Sequence, residues 1–99
     1  MNSQHYKNDR KEREAVIAKI GYGKVIKSVR KNRDHVDGPE IHEISSTGII
    51  SIYNVESKKL VTRLIARPEQ ISRYYGNRVP PKWLMDIARE HKALGYNNL

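Results

Sequence analysis

The chain has no cysteine, no phenylalanine and a single tryptophan among its 99 residues. Without cysteine there can be no disulfide, no thiolate metal ligand and no cysteine nucleophile. The N-terminal segment MNSQHYKNDRKERE lacks the apolar centre of a signal peptide, and no apolar run approaches the length of a membrane span. We therefore expect a cytoplasmic protein of one domain with a small core and no membrane partner.

Several signatures of cofactor and metal chemistry are also missing. There is no GxGxxG sequence and no phosphate-binding P-loop, and the glycines of GYGK at residues 21–24 are too few to form one. The four histidines show no HxH or HExxH spacing. No serine lies in a nucleophile elbow. The sequence therefore predicts no metal and no cofactor.

Acidic residues are scarce in the first third of the chain, which makes that part strongly basic. Residues 1–33 hold ten Lys or Arg against three acidic residues, a net charge of +7. Residues 34–99 hold nine against eight, a net charge of +1. The whole chain carries +8, a value that favours a polyanionic partner, above all nucleic acid.

The first third predicts helices. Residues 1–8 have no periodicity and are expected to form a flexible tail. Asp9 is a candidate cap for a helix from Arg10 to about Ile20, which is followed by a glycine break at residues 21–23. In KVIKSVRKNR, residues 24–33, the apolar residues fall on one helical face, so we predict a second basic helix. The same β-branched residues are also compatible with an edge strand.

The period changes to two after a loop at residues 32–40, and this predicts an antiparallel sheet. Three strands are expected, at about residues 40–46, 49–55 and 59–67, joined by short turns that leave no room for a crossover helix. A short helix should start at Pro68, and a final helix should span about residues 81–94. The predicted fold is a single α+β domain over residues 9–99, with the helices packed on one face of a three-stranded meander.

The segment KLVTRLIARPEQISRYYG, residues 59–76, places arginines inside the third strand. In strand register, Leu60, Thr62, Leu64 and Ala66 share one face, while Val61, Arg63, Ile65 and Arg67 share the other. If the first face packs on the helices, Arg63 and Arg67 stand on the open face. There the two arginines either belong to the solvent-exposed face of a half-buried sheet or bind phosphate through their guanidinium groups. Arg73 and Tyr74 extend this basic and aromatic pattern.

The cations of residues 24–33 are the other candidate contacts for nucleic acid. A basic ridge of this kind can follow a phosphate backbone, meet an acidic protein or simply be solvated. The candidate nucleic-acid-binding residues are therefore Lys24, Lys27, Arg30, Lys31, Arg33, Arg63, Arg67, Arg73 and Tyr74.

His42 stands in EIHEIS between Glu40 and Glu43. A histidine, a glutamate and arginines on one small sheet are the parts of a metal-independent ribonuclease. Basic N-terminal helices followed by such a sheet resemble the barnase-like and RelE-like small ribonuclease superfamily, a resemblance that covers about residues 10–75. It implies an acid/base role for His42 and phosphate-binding roles for Arg63 and Arg67. The stretch STGIISIYNVESKKLVTRLIARPEQISRYY also looks like small proteins of low-GC Gram-positive bacteria and their phages.

Three functions follow as hypotheses. The first is a small nucleic-acid-binding protein, with RNA and DNA both open as targets. The second is a regulator, phage-encoded or prophage-encoded, that binds a host protein through its basic surface or through the helix carrying Trp83. The third is the ribonuclease, with His42, Arg63 and Arg67 as its catalytic residues. An unprotected edge at the third strand would also allow a homodimer.

Overall fold

The computed structural model describes residues 3–32 and 38–99. It confirms the mixed α+β class, with four antiparallel strands rather than the three expected. The elements are helices α1 (Ser3–Ile20), α2 (Pro68–Tyr75) and α3 (Lys82–Ala93), strands β1 (Val25–Lys31), β2 (Glu40–Ser45), β3 (Ile49–Asn54) and β4 (Leu60–Ile65), and a final 3₁₀ turn (Tyr96–Asn98).

The four strands form a meander in the order β1-β2-β3-β4, so β1 and β4 are the two edges of the described sheet. The turn between β2 and β3 requires a left-handed residue, and Gly48 supplies it with φ +80°. The Ser45 hydroxyl accepts backbone N–H bonds from Thr47 at 3.3 Å and from Ile49 at 3.1 Å, which closes the turn. The β2–β3 hairpin is therefore specified by local chemistry.

The prediction of a helix over residues 24–33 is wrong, because Val25–Lys31 is strand β1, paired antiparallel with β2. In a helix, Lys27 and Lys31 would lie one turn apart and repel each other. A strand holds the same two side chains about 13 Å apart. Its β-branched residues also suit an extended backbone. The edge-strand alternative describes the segment correctly. Arg33, at its end, lies outside the described residues.

Helix α1 begins at Ser3, seven residues before the expected start at Arg10. Residues 3–8, assigned from the sequence to a flexible tail, are therefore helical, and Asp9 lies inside the helix rather than at its cap. The C-terminal end was predicted correctly. Gly21 adopts φ +89° and its N–H bonds the Ile17 carbonyl at 2.8 Å, which ends the helix at Ile20.

The larger part of the core lies between the sheet and helices α2 and α3, on what we call the helix face. It unites buried side chains from β2, β3, the β4–α2 connection, α2 and α3: Ile44, Ile50, Ile52, Ala66, Ile71, Leu84 and Ala88. Half-buried Leu64, Tyr74, Tyr75 and Met85 surround them. Because α2 follows β4 after only two residues, it folds directly back onto this face.

A second, smaller cluster lies on the opposite face of the sheet. Ile17 of α1 packs there with Ile49 and Ile65, which are cross-strand partners. Ile49 precedes Ile50 in the same strand, and successive strand residues point to opposite faces. The expectation that the helices cover a single face is therefore wrong for α1, which covers one end of the opposite face.

His91 is a buried polar residue at the C-terminal end of α3, with 8% of its surface exposed. Its ring lies against Tyr96, with 5.8 Å between the ring centroids, and faces the β2–β3 turn at Gly48. Burial lowers the pKa of His91, and the neighbouring Glu90 carboxylate opposes this effect. His91 lines a shallow cleft at the surface, and Lys19 of α1 lines it too. The folded protein therefore favours the neutral imidazole.

Replacing Ile50 by alanine should lower the free energy of unfolding by about 2–5 kcal/mol, because it opens a cavity in a fully buried site. Val79→Ala is the control, since Val79 is 90% exposed and its truncation should change stability by less than about 0.5 kcal/mol. Urea denaturation of both variants checks the pair. Equal losses would contradict the described core.

The lowered pKa of His91 makes stability depend on pH with a definite sign. The unfolded chain binds the proton at a higher pH than the folded protein, so stability is full above the ordinary value of 6.5 and falls as the pH drops towards the folded pKa. NMR titration of the His91 ring measures the folded pKa directly. A value at or above 6.5 would contradict the burial described, and His91→Gln should remove this component of the acid destabilisation.

Candidate nucleic-acid interface

Strand β1 places both of its lysines on the helix face of the sheet. Lys27 pairs across the strands with Ile44, and Lys31 pairs with Glu40. Directly opposed residues share a face, so both lysines project towards α2. Lys24 is exposed just before the strand, while Arg30 falls on the opposite face and its Nε donates to Asn32 at 3.0 Å.

Each of these two lysines lies over a tyrosine ring of α2. The Lys27 Nζ is 4.7 Å from the centroid of Tyr75, and the Lys31 Nζ is 5.2 Å from that of Tyr74. Cation–π attraction at such distances contributes about 0.5–1 kcal/mol at an exposed site. We call this area the β1–α2 surface; it comprises Lys24, Lys27, Lys31, Arg73, Tyr74 and Tyr75.

Tyr74 is held in place from beneath by buried polar groups. Its hydroxyl is hydrogen-bonded to the Nδ1 of His42, and the Nε2 of His42 lies 3.2 Å from the Glu40 carboxylate. In the neutral imidazole, Nε2–H donates to the carboxylate and Nδ1 accepts from the tyrosine. His42 is only 3% exposed. The network therefore anchors α2 against β2, beneath the ring that carries Lys31.

Arg63 occupies the opposite face of the sheet, where it pairs across the strands with Ser51. Its guanidinium carbon is 4.5 Å from the ring centroid of Tyr22, and its buried Nε has no hydrogen-bond partner among the described residues. Glu43 and Tyr53 line the same small cleft of about 120 Å³. Arg63 is thus separated from the β1–α2 surface by the thickness of the sheet.

Arg67 lies beyond the end of β4, because the strand stops at Ile65. It precedes the first residue of α2, and its Nη2 donates to the Asn97 carbonyl at 3.3 Å. Its neighbour in space is Arg13 of α1, which lines the same cleft. The expectation that Arg63 and Arg67 share one strand face therefore does not hold.

The structure divides the predicted site residues among separate places. Lys27, Lys31 and Tyr74 come together, and exposed Arg73 lies on the same helix as Tyr74. The three residues proposed for ribonuclease catalysis do not share a surface. His42 is buried under α2, Arg63 is on the opposite face, and Arg67 follows the end of β4. Ribonuclease activity stays a prediction that this geometry does not favour.

Sequence reasoning did not assign roles to Tyr22 or Arg13, and it considered Tyr75 as a stacking or core residue without including it in the candidate site. Tyr22 lies in the glycine break, and two glycines around an aromatic ring were a signal for a positioned side chain. Tyr75 adjoins Tyr74 in the sequence. The pairing of Lys27 and Lys31 with these two rings can be seen only when β1 is recognised as a strand. The contact of Arg13 with β4 spans 49 residues, and no local pattern indicates it.

Within the described residues, no group of three or more potential ligands is placed to hold a metal ion. Among these residues there is also no helix with the length and hydropathy needed to cross a membrane. No family model, no curated protein and no solved structure matches the chain. The function must therefore be argued from the residues themselves.

Replacing Tyr74 by phenylalanine should lower the free energy of unfolding by about 1–3 kcal/mol, because a buried nitrogen of His42 loses its partner. Tyr75→Phe is the matched control, since it lies next to Tyr74 on the same helix and likewise carries a lysine over its ring. That change should stay within about 0.5 kcal/mol. Urea denaturation compares them, and equal effects would argue against the His42 bond.

Proposed function

We propose that the protein binds nucleic acid and that the β1–α2 surface grips the phosphate backbone. The observation that carries this proposal is the position of Lys27 and Lys31, each supported by a tyrosine ring at one edge of the sheet. The cation–π contacts position the ammonium groups of Lys27 and Lys31 and leave their N–H donors available to oxygen acceptors. Phosphate contacts of this kind supply most of the affinity in sequence-independent binding.

The spacing of the cations supports a linear polyanion as the ligand. Lys27 and Lys31 are four strand residues apart, about 13 Å in an extended backbone. Lys24 is exposed just before β1, and Arg73 is an exposed cation on α2. A row of charges along a rigid strand suits a chain of phosphates better than a single compact anion.

The local balance of charge supports the same ligand. Glu40 is the acidic partner of Lys31 across the strands, but it is 9% exposed and bonded to His42. Its carboxylate is therefore turned into the protein rather than offered to a ligand. The tyrosine rings instead support the two ammonium groups from beneath. These features favour nucleic acid over an acidic protein.

Replacing both Lys27 and Lys31 by alanine should weaken binding of single-stranded RNA about tenfold at low salt, as two weak phosphate contacts are lost. The slope of log K against log salt should flatten by about 1.4, since each single-strand contact contributes about 0.7. Electrophoretic shifts of labelled single-stranded RNA, duplex RNA and duplex DNA in EDTA measure affinity and cleavage together.

The charge-matched control replaces Lys11 of α1 and Lys92 of α3, which are exposed and belong to neither β1 nor α2. That variant loses the same net charge, so it should change the affinity much less. If both double variants weaken binding equally, the surface has no special role. No shift at physiological salt would reject the proposal and favour a protein partner, while cleavage would revive the ribonuclease hypothesis.

A further inference from the structure

A cleft of about 220 Å³ lies beside β4, at the edge of the sheet farthest from β1. Arg13 of α1 and Arg67 at the start of α2 both line it, together with Gln70 and Asn97. Ile65 and Tyr96 contribute apolar walls. The volume is below the usual range for a drug-sized ligand, so the cleft suits a small group.

The structure describes one anchoring hydrogen bond for each of the two arginines. The Arg13 Nη2 donates to the Thr62 hydroxyl at 3.4 Å, a long contact. The Arg67 Nη2 donates to the Asn97 carbonyl at 3.3 Å. Asn97 is itself fixed, because its Nδ2 donates to the carbonyls of Ile65 and Ala66, each at 3.0 Å. The walls of the cleft are therefore tied to the end of the strand.

The charge in this cleft is not balanced by its described lining residues. Two guanidinium groups line it, and none of those lining residues is an aspartate or a glutamate. Each guanidinium has five N–H donors, and within the described part of the chain each makes one hydrogen bond, to a neutral oxygen. The Nε of Arg13 is buried and has no partner among the described residues. Leaving a buried donor of a charged group unpaired is costly, so an anion that accepts hydrogen bonds from Arg13 would stabilise the site.

We propose that this cleft binds a phosphate dianion, free or at the end of a larger molecule, between Arg13 and Arg67. Guanidinium forks match the oxygens of phosphate with two parallel hydrogen bonds each. A phosphate dianion offsets both positive charges, whereas a carboxylate offsets one. The ligand is either free phosphate or the terminal phosphate of a larger molecule, and the amide of Gln70 at the rim is a further polar contact for it.

This site is independent of the proposed nucleic-acid surface. β1 and β4 are opposite edges of the sheet, so the variants at Lys27 and Lys31 should leave phosphate binding unchanged. The reverse also applies, because changes at Arg13 and Arg67 should leave the affinity for unphosphorylated RNA nearly the same. Failure of one proposal is therefore distinguishable from failure of the other.

The test is titration of the full chain with sodium phosphate, sodium acetate and sodium chloride at matched ionic strength, followed by ¹H–¹⁵N NMR. Phosphate should give saturable shifts that include the side-chain amide of Asn97. Arg67→Gln should weaken binding at least tenfold, and Arg13→Gln should do the same. Arg78→Gln, an exposed arginine between α2 and α3, is the control and should bind as the original chain does.

Arg13 is half-buried, so the NMR spectrum of Arg13→Gln must first be shown to match that of the original chain. If Arg13→Gln does not keep the fold, the variant of the exposed Arg67 provides the test. Arg67→Lys keeps the positive charge but lacks the guanidinium group that makes two parallel hydrogen bonds. It should therefore bind phosphate several-fold more weakly than the original chain. Absence of saturation by phosphate, or equal response to phosphate and acetate, would overturn the proposal. So would a loss of binding in Arg78→Gln as large as that in Arg67→Gln.

The source of the phosphate is distinguished with oligonucleotides that carry a 5′-phosphate or a 5′-hydroxyl. Tighter binding of the phosphorylated strand, lost in Arg67→Gln, would support a terminal phosphate of nucleic acid as the ligand. Equal binding of both strands, together with saturable binding of free phosphate, would support the free ion. Both results support the site. A preference for the 5′-phosphorylated strand that persists in Arg67→Gln would overturn the proposed site.

Discussion

Pairing between β2 and β3 is the interaction on which the rest of the structure depends. Ile44 and Ile50 are partners across these strands, and both are fully buried on the helix face. A slip of one residue would turn Ile50 away from α2 and α3 and replace it with a residue of the other face. In the neighbouring β1–β2 pairing, Lys27 lies opposite the same buried Ile44, so the basic edge strand is aligned on a residue of the core.

The alternation within β3 also explains why the helices lie on both sides of the sheet. Ile49 and Ile50 are adjacent and both buried, one in the small cluster with Ile17 and the other in the main core. A sheet with two apolar faces at this end requires a cover on each, and α1 together with Tyr96 supplies the second. The far part of that opposite face keeps Glu43, Ser51 and Arg63, which suit partial solvation.

His42 illustrates how a residue type can indicate chemistry that the fold then uses differently. Its two ring nitrogens meet Tyr74 and Glu40, and the side chain is almost fully buried. A buried polar group is stable when its bonds are made, and such networks define how elements dock. The histidine joins α2 to the sheet and thereby sets the tyrosine ring on which Lys31 lies.

Local patterns predicted the features that depend on neighbouring residues. The β2–β3 turn at Gly48, the end of α1 at Gly21 and the start of α2 at Pro68 all follow from backbone preferences within a few residues. The α+β class followed from the change of period along the chain. The interpretation failed where the period was ambiguous, because VIKSVRK satisfies both a helix and a strand until β2 is available to pair with it.

The sequence by itself determined the strong positive charge, its concentration in the first third of the chain and the order of most elements. Only the tertiary structure decided where those charges act. Arg63 and Arg67 are four residues apart in the chain, yet β4 ends between them, so one faces Tyr22 and the other joins Arg13. Composition and charge are sums over residues, whereas a site requires long-range contacts that strand pairing and helix docking alone create.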